Sequence, residues 1–221
     1  MEKYTLKIDS VCKDYGRKKI LTDIYLECST GEIIGVLGRN GTGKTTLLKI
    51  IYGIENAENK FIKLNETVLN TEKLIFKNIS FLSQSSFIPK YFSVKKSIKL
   101  SIESSKIIEF YNDEFIQNIS ENSIVELSTG ELRYLEVKLL LFNDSKFCLL
   151  DEPFSGLSPI MIEKISFLIL KYASNKGFVI TDHNYREIMK ISTRLILIKN
   201  GKSITIKDYN ELIDYNYLTS L

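Results

Sequence analysis

Three cysteines, a single histidine and a net charge of only +3 set the first limits on this chain of 221 residues. Cys12, Cys28 and Cys148 are odd in number, and their spacing fits neither a disulfide framework nor a metal site. A reducing compartment is the simplest home for such thiols. The charge is too small to argue for nucleic acid, and no polybasic or acidic tail is present. Arg17-Lys18-Lys19 is a short basic run and reads as a solvated turn. No stretch approaches the roughly 20 apolar residues that cross a bilayer. Met1-Glu2-Lys3-Tyr4-Thr5 lacks the apolar segment of a signal peptide. If the protein works at a membrane, another chain is expected to supply the membrane part. What remains is an ordinary globular balance, 44% apolar and 26% charged. The length suits one large domain, or one core with a smaller lobe.

Within that plain composition one segment stands out. Gly38-Arg39-Asn40-Gly41-Thr42-Gly43-Lys44-Thr45 fits the phosphate-binding pattern G-x-x-x-x-G-K-[ST]. The apolar run Ile33–Leu37 leads in as a buried strand, and Thr46–Ile51 leads out as a helix. Strand, glycine loop and helix in that order are the context the pattern requires. The glycines let backbone N–H groups curl around a phosphate, and the helix N-terminus adds unpaired donors and partial positive charge. Lys44 can reach the β- and γ-phosphates, and the Thr45 hydroxyl can ligate Mg²⁺.

The rest of the chain frames that loop. Residues 3–12 and 20–28 alternate as strands, and further strands are expected at Phe61–Leu64, Glu66–Leu69 and Asn78–Leu82. Residues 86–126 are rich in Ser, Lys, Ile and Phe. Val94, Ile98 and Ile102 recur at helical spacing there, which predicts a small helical lobe. A helix face at Leu132, Leu135, Leu139 and Phe142 follows, then strands at Phe147–Leu150, Phe178–Ile180 and Leu195–Ile198. A helix over Ile165, Leu168, Ile169 and Tyr172 separates two of them, and Asn200-Gly201 marks a hairpin. Strands alternating with helices predict an α/β sheet covered on both faces.

Two further segments carry chemistry. Phe147–Leu150 runs into Asp151-Glu152, so a buried strand delivers two carboxylates to the sheet edge beside the phosphate loop. Asp151 can hold Mg²⁺ there, and Glu152 can polarise an attacking water. Leu127-Ser128-Thr129-Gly130-Glu131 precedes a helix as a capping box, with Ser128 at N-cap and Glu131 at N3. The same geometry presents a helix N-terminus to an anion.

Taken together and in this order, these segments resemble an ATP-binding-cassette (ABC) ATPase over the whole chain. Leu127–Glu131 resembles the family's signature, Gln84 its Q-loop glutamine, His183 its switch histidine and Tyr15 the aromatic that stacks on adenine. Ser155-Gly156-Leu157-Ser158 stands where the D-loop falls. The signature together with residues 181–187 is similar to ATPases of lipopolysaccharide-export and branched-chain amino-acid uptake systems. The resemblance implies a P-loop NTPase core with an antiparallel β subdomain and a small helical subdomain. Residues 1–221 would form one domain, with core and β subdomain in 1–84 and 146–221 and the helical part, signature included, in 85–145.

The resemblance also implies ATP hydrolysis that powers a membrane transporter. Glu152, His183 and Lys44 would be catalytic. ATP would be held by Tyr15, Gly38, Arg39, Asn40, Gly41, Thr42, Gly43, Lys44, Thr45, Thr46, Gln84, Ser128 and Gly130. Thr45, Gln84 and Asp151 would hold Mg²⁺. The expected partners are a second copy or a paired ATPase subunit, and a transmembrane permease on a separate chain; no nucleic acid is expected. The expected location is the cytoplasmic face of the cell membrane. Phe87, Ile88, Pro89, Tyr91 and Phe92 are expected to line a groove for a partner helix. A soluble ABC ATPase, as in iron–sulfur assembly, or a regulatory ATP-binding module with weak hydrolysis shares the motifs. GTPases are a poorer fit, because Asn59-Lys60-Phe61-Ile62 and Asn175-Lys176-Gly177-Phe178 lack the Asp that reads guanine. Three residues depart from the family pattern: Thr129 replaces the first glycine of the signature pair, Glu131 replaces the usual Gln, and Ser158 replaces the usual D-loop Asp. Thr129 and Ser158 fall on the dimer interface that the family uses.

Overall fold

In the computed structural model, which describes residues 3–219, apolar alternation near the start of the chain becomes two long antiparallel strands. These are β1 (Thr5–Tyr15) and β2 (Lys18–Ser29), joined by a turn at Gly16 and Arg17. β3 (Ile33–Leu37) is buried at all five residues and opens into the phosphate loop and α1 (Lys44–Tyr52). β4 (Asn59–Leu64) and β5 (Thr67–Val68) return to the first sheet, which has the order β2-β1-β4-β5.

A short helix, α2 (Glu72–Asn78), then precedes β6 (Ile79–Leu82). The sequence pattern predicts no helix here. α2 buries only Ile75, so its apolar face is too narrow to show a period; Thr71 starts it by accepting from the Leu74 N–H. The helical lobe contains α3 (Val94–Ser101), α4 (Ile107–Tyr111) and α5 (Glu114–Ile119). Val94, Ile98 and Ile102 face its core, as their spacing predicts.

α6 (Thr129–Phe142), β7 (Phe147–Asp151), α7 (Pro159–Tyr172) and β8 (Gly177–Thr181) restore the α/β pattern. α8 (Tyr185–Ile191), β9 (Arg194–Lys199), β10 (Lys202–Ile206) and α9 (Glu211–Asp214) follow. The second sheet has the order β10-β9-β3-β8-β7-β6. All neighbours in it are parallel except β10, which turns back on β9 at Asn200-Gly201.

Strand side chains alternate between two cores. Phe147, Leu149, Ile34, Val36 and Val179 point towards α1 and the antiparallel sheet. Cys148, Leu150, Leu37, Phe178 and Ile180 point the other way, into a core shared with α6, α7, α8 and the helical lobe. α1 is therefore packed between two sheets, and the lobe is continuous with the far side of the parallel sheet.

That continuity is testable. Phe110 is fully buried in the lobe and meets Phe142 edge-on at 4.9 Å. Phe110→Ala is expected to cost about 3–5 kcal/mol. Chemical denaturation should show one transition moved to lower denaturant. A separate early transition confined to the lobe would show that the shared core does not couple the two parts.

Candidate functional site

Each buried parallel strand can shed its polar residues only where it ends, and β3, β6, β7 and β8 all end at the same edge. β3 delivers the phosphate loop, β6 leads to Gln84, β7 ends in Asp151 before Glu152, and β8 leads to Asp182 and His183. The β1–β2 hairpin reaches over from the other sheet with Tyr15 and Lys18. Together these segments enclose a cavity of about 510 Å³ lined by Tyr15, Lys18, Ile20, Asn40, Gly41, Gly43, Lys44, Thr45, Thr46, Gln84, Glu152 and His183.

The loop side is built for an anion. Gly43 precedes α1 with φ of +95°, and a Cβ on it would lie 2.7 Å from Ile20 Cγ2, so only glycine fits. α1 has no side-chain N-cap and no acidic residue in its first turn. Its leading N–H groups are therefore left for a ligand. Lys44 Nζ lies inside the loop, donating to the Gly38 carbonyl at 2.7 Å and the Arg39 carbonyl at 3.3 Å. Burial pulls its pKa down, while Glu152, Asp151 and Asp182 act to keep it charged.

Opposite stands a carboxylate cluster. Thr45 Oγ1 donates to Asp151 Oδ1 at 3.0 Å. Asp151 is 1% exposed, and its Oδ2 is buried without a hydrogen-bond partner. Burial pushes the Asp151 pKa up to about 6; the Thr45 hydrogen bond opposes the rise, Glu152 adds to it, and Lys49 and Lys44 counter it.

Glu152 has φ of +53°. A non-glycine residue there costs about 1–2 kcal/mol, and such strain gathers at functional positions. Its N–H donates to the Thr181 carbonyl at 2.7 Å, which fixes the turn against β8. Its Oε1 accepts from Gln84 Nε2 at 2.8 Å and lies 3.0 Å from His183 Nε2. Gln84 Nε2 also reaches Thr45 Oγ1 at 3.3 Å. One carboxylate oxygen is thus held from two strands at the mouth of the phosphate loop.

Several expected residues lie elsewhere. Arg39 and Thr42 turn their side chains to the opposite side of the loop. Arg39 Nη2 donates to the Asn216 carbonyl at 2.8 Å, and both residues line a second cavity against Tyr215, Asn216 and Tyr217. Ser128 and Gly130 are not in the first cavity's lining; they start α6, where Ser128 and Glu131 complete the capping box. A Cβ on Gly130 would lie 2.8 Å from Met161 Cγ, so glycine lets α6 start close against α7. Ser158, at the D-loop position, caps α7 by accepting from the Met161 N–H at 3.4 Å. Tyr15 is 49% exposed and lines the cavity. The aromatic cluster after Gln84 is split. Ile88 is buried and Phe92 packs on the lobe core, while Phe87 and Tyr91 stay exposed.

Two residues were missed in the sequence. Lys18 belongs to β2, not to a solvated turn, and it lines the cavity beside Tyr15. Asp182 is buried and accepts from the backbone N–H groups of Phe154 and Asn184, each at 2.8 Å. It ties the segment after Glu152 to the end of β8. Only its place between a core strand and the lone histidine could have flagged it.

The donor set suits a hard divalent cation. Asp151 offers an unpartnered buried oxygen, Thr45 a hydroxyl and Gln84 an amide oxygen, the oxygen ligands that Mg²⁺ takes alongside phosphate.

Comparison with known proteins agrees with this geometry. Residues 21–155 match the family model described as ABC transporter. The chain is 31% identical over 214 residues to the lipopolysaccharide export system ATP-binding protein LptB of Escherichia coli (strain K12), covering 90% of this chain and 89% of that protein. A solved ATP-binding subunit of an ABC transporter superposes with a TM-score of 0.83 at 15% identity, over 98% of this chain and 95% of the other. A dimeric bacterial ABC transporter cassette superposes with a TM-score of 0.77 at 19% identity, over 92% of this chain and 100% of the other.

The raised Asp151 pKa carries a signed prediction. A carboxyl whose native pKa exceeds its unfolded value binds its proton more tightly when folded, so stability falls as pH rises from about 4 through about 6. Asp151→Asn keeps an acceptor for Thr45 and removes that cost. In EDTA without nucleotide, it should stabilise the fold by about 2–3 kcal/mol at pH 7.5, with the gain fading through pH 6 and absent near pH 4. Thermal melts across that range check this; a variant less stable at pH 7.5 would contradict it.

Proposed function

The chain belongs to the ABC transporter family, and on that premise we propose how its residues turn over ATP. It is an ATP hydrolase of the kind that powers a membrane transporter. No helix among the described residues is long and apolar enough to cross a membrane. The membrane part would be a separate permease chain, with this chain peripheral on its cytoplasmic face.

The observation that carries the mechanism is the Glu152 carboxylate, held by Gln84 and His183 beside the phosphate loop. Backbone N–H groups at the start of α1 would cradle the β- and γ-phosphates, with Lys44 moving from the Gly38 carbonyl to phosphate oxygen. Tyr15 would stack on adenine. Thr45 and Asp151, with Gln84, would hold Mg²⁺, which when bound offsets charge on the β- and γ-phosphate oxygens. Glu152 would orient and polarise a water in line with the γ-phosphate, and His183 would keep its carboxylate aimed there and reach the γ-phosphate. The new bond forms from water oxygen to the γ-phosphorus as the bond to the leaving ADP oxygen breaks.

One chain offers only part of such a site. Ser128 and Thr129 are exposed at the start of α6, outside the cavity. Two copies, or this chain and a paired subunit, would meet head to tail about a two-fold axis. Each would then place α6 against the other's nucleotide. The dimeric cassette of similar fold supports pairing as such. Residues 85–145 would act as the helical part of one domain, and residues 1–84 with 146–221 as its core. Phe87 and Tyr91, exposed just past Gln84, would be the contact for the permease.

Three measurements test this reading. ATP should be hydrolysed in preference to GTP, and Lys44→Ala should abolish turnover. Glu152→Gln should lower kcat by at least ~100-fold while retaining nucleotide. Light scattering of that variant with ATP should show a dimer; a species that stays monomeric would exclude the head-to-tail step.

A further inference from the structure

Between β6 and α3 the chain runs from residue 83 to residue 92 without helix or strand. Gln84 sits in this stretch. Among the described residues, no backbone–backbone hydrogen bond involves residues 84–88. Such a segment is expected to wander unless side chains hold it. Yet Gln84 has to place its amide within 2.8 Å of Glu152.

The missing anchor comes from α6. Arg133 Nη1 donates to the Ser83 carbonyl at 2.9 Å, and its Nη2 donates to the Gln84 carbonyl at 2.9 Å. Glu136, one turn further on, accepts from Arg133 Nη1 at 3.3 Å through one oxygen. Its other oxygen accepts from the Phe87 N–H at 3.1 Å. Glu136 is 2% exposed, so it sits there at a desolvation cost that these bonds offset. A guanidinium is planar and offers two donors at fixed spacing, which matches two successive carbonyls; an ammonium is a single point of charge and cannot span them in the same way.

We propose that Arg133, braced by Glu136, is the positioning residue that sets Gln84 and, through it, Glu152. The proposal rests on the hydrolytic reading above. It adds a mechanical link that the four strand ends do not contain. Arg133 lies one turn from the start of α6, so the same rigid helix carries the exposed Ser128-Thr129 end and the clamp on Gln84. A second chain's nucleotide meeting that end would therefore press on the segment that aims the water-orienting carboxylate. The clamp touches neither the phosphate loop nor the adenine side of the cavity, so its loss should affect turnover and not nucleotide affinity.

The test is steady-state ATP hydrolysis by the full chain, with ATP and Mg²⁺ varied separately. Arg133→Ala should lower kcat about tenfold or more, the scale of a misplaced positioning group. Its KM for ATP should stay within about twofold and its half-saturating Mg²⁺ should rise, because a displaced Gln84 no longer serves the cation. Arg133→Lys, able to reach one carbonyl, should recover part of kcat. Should the alanine variant fail to fold, the lysine variant and Glu136→Gln carry the test, each with a smaller fall in kcat at unchanged KM. An unchanged kcat in folded variants overturns the proposal, and so does a rise in KM for ATP at constant kcat. Glu152→Gln, run alongside, separates the two levels. If it hydrolyses ATP normally, the reading of the site itself fails; if it is inactive while Arg133→Ala keeps full kcat, only the clamp is wrong.

Discussion

The complete burial of β3, β7 and β8 is the constraint on which the site depends. With both faces of these strands covered, no polar side chain can leave the sheet until a strand ends. Because the strands are parallel, they end together, and the glycine loop, Asp151-Glu152 and Asp182-His183 arrive at one edge. β6 brings Gln84 to the same place. The site is a consequence of direction and burial, with α1 wedged between two sheets to keep the loop rigid.

That placement has an electrostatic price, which the local geometry offsets unevenly. Asp151 is desolvated with one oxygen unpartnered, Lys44 is drawn into loop carbonyls, and Asp182 accepts two backbone bonds. Three nearby carboxylates thus have three environments. Asp182 is used up in structure, Asp151 keeps one buried oxygen unpartnered, and Glu152 is left at the cavity wall in a strained backbone conformation. Environment separates roles that the residue types alone do not.

α6 joins this edge to the rest of the molecule. Its capped N-terminus is open to solvent, and Gly130 lets it start close to Met161 of α7. One turn later Arg133 and Glu136 grip the backbone around Gln84. Beyond that grip the chain exposes Phe87 and, at 82%, Tyr91. The proposed surface for a second ATPase chain, the proposed hydrolytic carboxylate and the proposed surface for a permease would therefore lie along one continuous mechanical path.

Much of this was legible in the sequence, because the signals were local. The glycine loop needs backbone freedom at set positions, buried strands need apolar runs, and the capping box closes within four residues. Hence the strand–loop–helix, the Asp151-Glu152 strand end, the lobe period at Val94, Ile98 and Ile102, and the start of α6 were readable in order. The tertiary structure alone decided which side chains meet. Lys18 looked like part of a solvated turn until β2 carried it to the cavity. The side chains of Arg39 and Thr42 gave no sign of the C-terminal segment that they meet on the other side of the loop. The Arg133–Glu136 pair looked like an ordinary ion pair one turn apart, because the other partners of Arg133 are main-chain carbonyls about 50 residues away, and carbonyls are the same in every residue. Sequence specifies what a residue can do within a turn or two of itself; long-range packing decides what it is brought against.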